Sequence, residues 1–236
     1  FGKEYPTCQV TCASIIDEII ELEGSETVAG IIVEPMMRRG GAATPPPEYL
    51  PMLREICNRH KVLLIFDEIV TGFGRTGRMF AAQTFNTTPD ILCLGKGTSS
   101  GYAPLAATVI SEETAAALDS GPAGSTVYMH GYTYGGNPVS CAAGIASIRV
   151  LMEQDLVRNS EVMGEYLKQK LEELKPMEVV GNVQGRGLLS GIEFVKNTVT
   201  KEQFPDQLAF GFMVGDECQK RGLLLRPDVH EMAFSP

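Results

Sequence analysis

The chain has 236 residues, of which 44% are hydrophobic and 21% are charged. This length supplies the core of one large domain or of one and a half ordinary ones. The formal net charge is −9 and the pI is about 4.9, and no block of Lys and Arg stands out, which argues against nucleic acid and anionic membranes as partners. No apolar stretch is long enough to span a bilayer, and the first residues do not resemble a signal peptide.

The cysteines and the chain ends suggest a cytoplasmic fragment. Cys8 and Cys12 have no matching second pair or nearby histidines among the six cysteines, so we expect no zinc or other metal site. A reduced, cytoplasmic protein is the default interpretation. The chain begins at Phe1 without an initiator methionine and stops at Pro236, just after a predicted strand. We therefore expect a fragment that is truncated at both ends.

Apolar patterns predict helices and strands that alternate along the chain. In the first part of the chain we predict a helix over 15–20 that Gly24 ends, a strand within 29–35, a loop over 38–47 and a helix over 50–57. Strands are predicted next at Val62–Phe66, Ile91–Leu94 and Leu105–Ile110. The last part has predicted helices at Val139–Leu151, Glu161–Leu174 and Phe210–Lys220, and predicted strands at Val179–Val183, Leu188–Val195 and Leu223–Leu225.

The strand pattern predicts an α/β fold. Continuous apolar strands separated by helices favour a mainly parallel sheet that helices cover on both faces. After Pro138 the pattern changes to a long apolar helix, which we expect to be buried, and then to a smaller α+β region. We predict that residues 1–138 are part of a large domain and that 139–236 form a linking helix and part of a small C-terminal domain.

Lys96 and Asp67 are the strongest functional candidates. Lys96 follows the strand Ile91–Leu94 in a loop rich in glycine and serine, and Asp67 directly follows the strand Val62–Phe66. An amine at the end of a buried strand is costly unless something uses it. If the two strands are parallel neighbours, both side chains open into the crevice where open α/β sheets bind ligands. The plain alternative is a buried ion pair, which adds little stability.

Two glycine patterns near these residues suggest phosphate binding. Gly72-x-Gly74-x-x-Gly77 matches a dinucleotide-binding loop, but carboxylates precede it and the ribose-binding acid expected after the next strand is missing. A nicotinamide oxidoreductase remains an alternative on this motif alone. Gly95-Lys96-Gly-Thr98 resembles a nucleotide triphosphatase loop, but Asp90 stands where that motif requires glycine, and we reject it.

An amine and an acid at neighbouring strand ends suit pyridoxal phosphate. In such enzymes a lysine forms a Schiff base with the cofactor aldehyde, and a carboxylate pairs with the pyridinium nitrogen. The protonated ring withdraws the electrons released when the substrate Cα–H bond breaks. The lysine, once displaced by substrate, moves the proton between the substrate Cα and the cofactor C4′.

Four segments carry a family resemblance: Glu34-Pro35, the run from Phe66 to Gly77, the run from Pro89 to Lys96, and Thr133-Tyr-Gly-Gly-Asn-Pro138. Together they resemble class III aminotransferases, pyridoxal-phosphate enzymes of fold type I, over nearly the whole chain. The resemblance implies that Lys96 is the Schiff-base lysine, that Asp67 is the pyridinium partner, and that the large domain binds the cofactor. It also implies a homodimer with shared active sites, in which Thr133 donates to the cofactor phosphate of the other subunit.

The resemblance suggests further site residues. Val70 would pack on the cofactor ring and resembles the branch that acts on amines and ω-amino acids. Glu34 matches a glutamate that faces the substrate pocket in several members; alternatively it only closes a strand. Arg226 matches an arginine that holds a carboxylate in amine:pyruvate and diaminopelargonate transaminases, whereas Ala233 stands where many members have another arginine. The alternative for Arg226 is a surface residue at a strand end.

We therefore expect a transaminase that moves an amino group from an amine or ω-amino acid to a keto acid, with pyruvate as the expected acceptor. Alternatives are a diaminopelargonate- or ornithine-type aminotransferase and a catalytically silent dimerisation fragment. Members of the family extend further at the N-terminus, where they hold the loop that grips the cofactor phosphate and the aromatic that stacks on its ring. We accordingly expect this fragment alone to be inactive.

Overall fold

A computed structural model describes residues 4–119, 128 and 130–236. Phe1, on which the expected truncation of the amino end rests, lies outside this range. The chain divides into two compact units. Unit 1 comprises Phe1–Pro35, Pro45–Gly72 and Ala81–Glu153, and unit 2 comprises Met36–Thr44, Phe73–Phe80 and Gln154–Pro236. The domain boundary at residue 138 stays a prediction.

Helices and strands alternate through most of the chain, as the apolar patterns predict. The helices are α1 (Thr11–Glu23), α2 (Arg39–Ala42), α3 (Tyr49–His60), α4 (Ala81–Thr84), α5 (Glu112–Asp119), α6 (Pro138–Glu153), α7 (Leu156–Glu172) and α8 (Phe210–Lys220). The strands are β1 (Gly30–Val33), β2 (Leu63–Asp67), β3 (Ile91–Leu94), β4 (Ala107–Ile110), β5 (Val180–Arg186), β6 (Leu189–Phe194), β7 (Arg226–Pro227) and β8 (Glu231–Phe234).

Unit 1 contains a mixed sheet with the strand order β1-β2-β3-β4. The first three strands are parallel and β4 is antiparallel to β3. The predicted apolar stripe of α3, formed by Leu50, Leu53, Ile56 and Cys57, is buried in one core with the β2 residues Leu64 and Phe66. The predicted mainly parallel sheet is therefore confirmed for β1 to β3.

Helix α6 begins as the sequence predicts but is not buried. Pro138 is its first residue, and the Asn137 Oδ1 accepts hydrogen bonds from the backbone N–H groups of Val139 (3.1 Å) and Ser140 (3.2 Å), a regular N-cap. Within α6, all of which is described, only Gly144 is buried. The predicted burial of this helix is wrong for the chain by itself, because its apolar residues extend around most of its circumference and only a narrow face meets the turn that follows β3.

Unit 2 contains an antiparallel sheet with the order β5-β6-β8-β7. Helix α7 packs against β5 and β6, and α8 packs against β7 and β8. The strand predicted at Leu223–Leu225 begins three residues later, at Arg226–Pro227, and the strand expected before the chain end is β8. Among the described helices, none has the length and apolar character needed to cross a membrane.

Candidate active site

Asp67 and Lys96 lie at the same edge of the unit 1 sheet. Asp67 is the last residue of β2, and its Cα pairs with that of Cys93 in the parallel neighbour β3. Lys96 follows Cys93 by three residues, just beyond the end of β3. The predicted parallel neighbours are therefore present, and both side chains are attached at the carboxyl ends of adjacent strands, where open sheets bind ligands.

Lys96 begins a short 3₁₀ turn, Lys96–Thr98. Its φ is +41°, a left-handed conformation that costs a non-glycine residue about 1–3 kcal/mol and occurs most often at functional sites. The side chain is exposed. In the described part of the chain no ion pair joins it to Asp67, so the alternative of a buried ion pair is wrong.

Helix α6 holds the turn that carries Lys96. A Cβ built on Gly144 of α6 would lie 2.5 Å from Leu105 Cδ2 and 3.2 Å from the carbonyl oxygen of Thr98. The hydroxyls of Ser100 and Ser147 are 2.7 Å apart and share a hydrogen bond. A glycine at this contact lets the helix backbone come close to the turn, which restricts where Lys96 is presented.

Asp67 and Glu68 differ in the number of hydrogen bonds that their carboxylates accept. Glu68 is fully buried; its Oε2 accepts from the Thr71 hydroxyl (3.1 Å) and the Ala81 N–H (2.6 Å), and its Oε1 accepts from the Ala82 N–H (2.9 Å). Asp67 is half-buried, and its Oδ1 accepts from the Ile69 N–H at 3.0 Å. Since both oxygens of Glu68 are engaged, Asp67 is the carboxylate of this pair that can meet a ligand.

Glu68 also removes the basis of the dinucleotide interpretation. That motif requires a helix whose first N–H groups bind a pyrophosphate. The helix after the glycine pattern is α4, which has four residues, and its first two N–H groups, those of Ala81 and Ala82, are bound by Glu68. Sequence reasoning missed this capping role, because the partners lie 13 and 14 residues from Glu68.

Glu34 and Val70 lie near the same edge. Val33 of β1 pairs with Phe66 of β2 in parallel register, so Glu34 directly follows β1 as Asp67 follows Phe66. Its side chain is exposed, whereas Val70 is half-buried in the turn after β2. Glu34, Asp67 and Lys96 therefore lie at the carboxyl ends of three successive parallel strands, with Glu34 next to Asp67 in the sheet order.

Thr133 is exposed in the turn over 133–136 that precedes α6. This position is in unit 1, and its predicted role toward the other subunit's cofactor stays a prediction. Arg226 is the first residue of β7 in unit 2 and is exposed. It lines a cavity within that unit, and its exposed position at a strand end also fits the alternative of a surface arginine, so its binding role stays a prediction.

One group of described side chains has metal-binding potential despite the expectation of no metal. Ligand atoms of Asp17, Glu21 and His60 lie within 4.8 Å of one another. Asp17 is already paired with Arg59 and lies 2.6 Å from the His60 Nε2. The guanidinium beside Asp17 opposes a second cation, so we interpret the group as an ion-pair network between α1 and α3.

Comparison with known proteins establishes the family. The sequence matches the family described as Aminotransferase class-III over residues 3–229. The chain belongs to the class-III aminotransferases. The resemblance stated on Lys96, Asp67 and their surrounding segments is thereby confirmed.

Relatives of this class-III aminotransferase include proteins of bacteria and plants. It is 43% identical over 219 residues to the uncharacterized aminotransferase YodT of Bacillus subtilis (strain 168), covering 92% of this chain and 49% of that protein. It is 33% identical over 224 residues to a probable mitochondrial gamma-aminobutyrate transaminase 3 of Oryza sativa subsp. indica, covering 95% of this chain and 44% of that one. The chain thus spans about half the length of the curated relatives it matches.

Solved structures confirm the fold class. A thermostable (S)-enantioselective omega-transaminase from Thermomicrobium roseum matches with a TM-score of 0.92 and 36% identity, over 100% of this chain and 52% of that one. An amine transaminase from an uncultivated Pseudomonas species, solved in its PLP-bound form, matches with a TM-score of 0.94 and 38% identity, over 99% and 53%. The chain therefore has the α/β fold of fold type I transaminases.

Proposed function

We propose that the protein containing this chain is a pyridoxal-phosphate-dependent transaminase. The observation that carries the proposal is the register that places Asp67 and Lys96 at the carboxyl ends of adjacent parallel strands. Family membership supports it. The nicotinamide alternative loses support, because Glu68 binds the helix N-terminus that a dinucleotide requires.

The residues present fit this cofactor. An exposed primary amine on a turn that α6 supports is suited to covalent attachment, and Asp67 is a carboxylate that its neighbours do not saturate. We propose that Lys96, Asp67, Val70 and Thr133 hold pyridoxal phosphate. When bound, the cofactor supplies an electron-withdrawing ring that eases removal of a proton from the substrate carbon next to nitrogen.

Each catalytic residue then has a distinct task. Asp67 would keep the ring nitrogen of the cofactor protonated, because a negative charge favours the protonated form of a nitrogen close to it. The hydrogen bond from the Ile69 N–H orients the Asp67 carboxylate. Lys96 Nζ would hold the cofactor covalently, and the free amine would accept the proton from the substrate Cα as a general base. Val70 would exclude water from one face of the cofactor ring.

We further propose an amine or ω-amino acid as amino donor and a keto acid, pyruvate in the first instance, as acceptor. The names of the omega-transaminase and of the gamma-aminobutyrate transaminase relative support this class. Glu34 and Arg226 are the proposed substrate-binding residues, since an arginine suits a planar carboxylate. A diaminopelargonate- or ornithine-type aminotransferase is the second candidate, because Arg226 also matches the carboxylate-binding arginine of diaminopelargonate transaminases.

We propose a cytoplasmic homodimer with shared active sites, in which Thr133 reaches the partner's cofactor phosphate. The exposed position of Thr133 before α6 and the exposed apolar residues of that helix support this arrangement.

Substitution of Lys96 and Asp67 in the purified holoenzyme tests the proposal. Lys96→Ala should abolish the visible absorbance of the bound cofactor. Mass spectrometry after borohydride reduction should then find no peptide that carries the cofactor. Asp67→Asn should keep part of the cofactor binding but raise the barrier by about 3 kcal/mol, roughly a hundredfold in kcat. Lys170→Ala, which removes an exposed pair with Glu173 and a contact with the Tyr166 ring on the surface of α7, is the control. Cofactor that stays attached in Lys96→Ala would refute the role of Lys96, and near-normal turnover in Asp67→Asn would refute that of Asp67.

A further inference from the structure

A basic cavity lies wholly within unit 2. Its volume is about 280 Å³, near the lower end of the range for small-molecule sites. Its lining consists of three arginines, two acids and three apolar residues: Arg38, Arg39, Arg226, Asp228, Glu231, Phe212, Pro227 and Ala233. Three guanidinium groups around one small cavity repel one another, and the two acids offset only part of this repulsion.

The acids of this cavity are partly committed to the backbone. Glu231 Oε1 accepts from the Gly40 N–H at 2.8 Å, and Asp228 Oδ1 accepts from the Val229 N–H at 2.8 Å. Across the described residues, none of the ion pairs involves Arg38, Arg39 or Arg226. The lining therefore carries one more positive than negative charge, with guanidinium donors left for a ligand.

The segment that carries Arg38 is fixed on the unit 2 sheet. The Gly40 N–H donates to Glu231, and the Gly40 carbonyl accepts from the Gln184 Nε2 at 2.9 Å. A Cβ built on Gly191 of β6 would lie 2.1 Å from the Gly41 carbonyl oxygen, so the two backbones are in close contact. This anchoring leaves Arg38 half-buried, whereas Arg39 and Arg226 are exposed. Of the three arginines, Arg38 is thus the most restricted.

We propose that this cavity binds one carboxylate of a small organic acid and that Arg38 holds it together with Arg226. The single excess positive charge matches a monocarboxylate better than a dianion. Phe212 and Ala233 offer apolar contact to a short hydrocarbon chain. Arg38 is a specificity-determining residue that adds to the expected role of Arg226. The inference rests on the proposed function only for the identity of the bound organic acid, since keto acids and ω-amino acids both carry such a carboxylate.

Titration calorimetry on the holoenzyme with unreactive probes tests the inference. Butyrate should bind, and butyramide, its neutral analogue, should bind at least about tenfold more weakly, because charge-assisted bonds to arginine are lost. Arg38→Gln should weaken butyrate binding by about tenfold or more. Arg226→Gln should retain measurable binding, and the double variant should lose it. Arg221→Gln is the control, because Glu217 is the partner of this exposed unit 2 arginine among the described residues.

Arg38→Lys provides a second test if Arg38→Gln does not fold. It keeps the charge but loses the planar two-pronged donor, so butyrate should bind several-fold more weakly yet still better than butyramide. Equal binding of butyrate and butyramide, wild-type affinity in Arg38→Gln, or inorganic phosphate that displaces butyrate and binds more tightly would each overturn the inference. Transamination is measured on the same wild-type sample. Butyrate binding without transamination would refute the proposed function and leave this inference standing.

Discussion

Asp67 and Glu68 are adjacent acids that occupy different environments. Glu68 is fully buried and accepts three hydrogen bonds. Burial raises the pKa of the Glu68 carboxyl from its ordinary value, and the bonds from Ala82, Ala81 and Thr71 oppose the shift. Asp67 accepts one bond from the Ile69 N–H at the strand end. Glu68 therefore holds the loop after β2, whereas the Asp67 carboxylate stays available to a ligand.

Glu68→Gln should destabilise the protein. An amide oxygen replaces only part of the acceptor capacity, which leaves the Ala82 N–H without its partner and costs about 1–3 kcal/mol in free energy of unfolding. Chemical denaturation measures this loss, and Glu165→Gln at an exposed position of α7 is the control.

The pH dependence of stability offers a separate check on Glu68. Because the folded pKa is raised, the folded state binds the proton more tightly, and wild-type stability should fall as the pH rises above 4.5 through the folded pKa. The glutamine variant should lack this component. Equal stability of variant and wild type at every pH would contradict the capping role.

The elements of unit 1 act as supports for the strand ends. Helix α6 meets the turn Lys96–Thr98 at Gly144, where the helix backbone approaches the Thr98 carbonyl. Gly144→Ala inserts a methyl group 3.2 Å from that carbonyl oxygen, and overpacking of this kind typically costs about 1–3 kcal/mol. We expect a lower melting temperature and weaker cofactor retention, measured by calorimetry and by dialysis followed by absorbance. Ala146→Gly, at an exposed position of the same helix, controls for helix propensity. Unchanged cofactor retention in Gly144→Ala would show that the contact does not position Lys96.

The stabilisation from the Asp17 contacts between α1 and α3 should be lost in acid. The hydrogen bond from His60, followed by that from Arg59, lowers the pKa of the Asp17 carboxyl below its ordinary value of 3.8. A lowered folded pKa stabilises the fold above 3.8, and this stabilisation is lost as the pH falls through the folded pKa. Asp17→Asn should remove that part of the loss of stability in acid. Circular dichroism measured between pH 2 and 5 monitors the unfolding. Asp216→Asn, at an exposed position of α8, is the control, and identical acid profiles for wild type and Asp17→Asn would argue against the link.

At the scale of the whole molecule, the exposed side of α6 supports the proposed homodimer. Val139, Ile145, Val150 and Met152 are exposed although they are apolar, and apolar groups gain free energy when a partner covers them. Ile145→Glu in the intact protein should therefore shift the dimer toward monomer in light scattering. Val199→Glu places the same charge on an exposed apolar residue of unit 2 and should leave the mass unchanged. A dimer that is unaffected by Ile145→Glu would exclude this face of α6 from the interface.

Much of the fold was predictable because the relevant patterns are local. The runs Val62–Phe66 and Ile91–Leu94 correspond to β2 and β3 within one residue at each end. The stripe of α3 is buried at each of the four predicted positions. Less local features were not predicted correctly: α6 is exposed, and the strand predicted at Leu223–Leu225 begins at Arg226.

The sequence by itself determined that Lys96 and Asp67 follow apolar strands and that the chain resembles class III aminotransferases, because strand periodicity and motif spacing depend on neighbouring residues. The tertiary structure decided which acid of the Asp67-Glu68 pair is left for a ligand and that Arg38 shares a cavity with Arg226. These outcomes depend on hydrogen bonds and packing between residues that are distant in the chain. A carboxylate at a strand end is available for chemistry only where the fold supplies it with few partners.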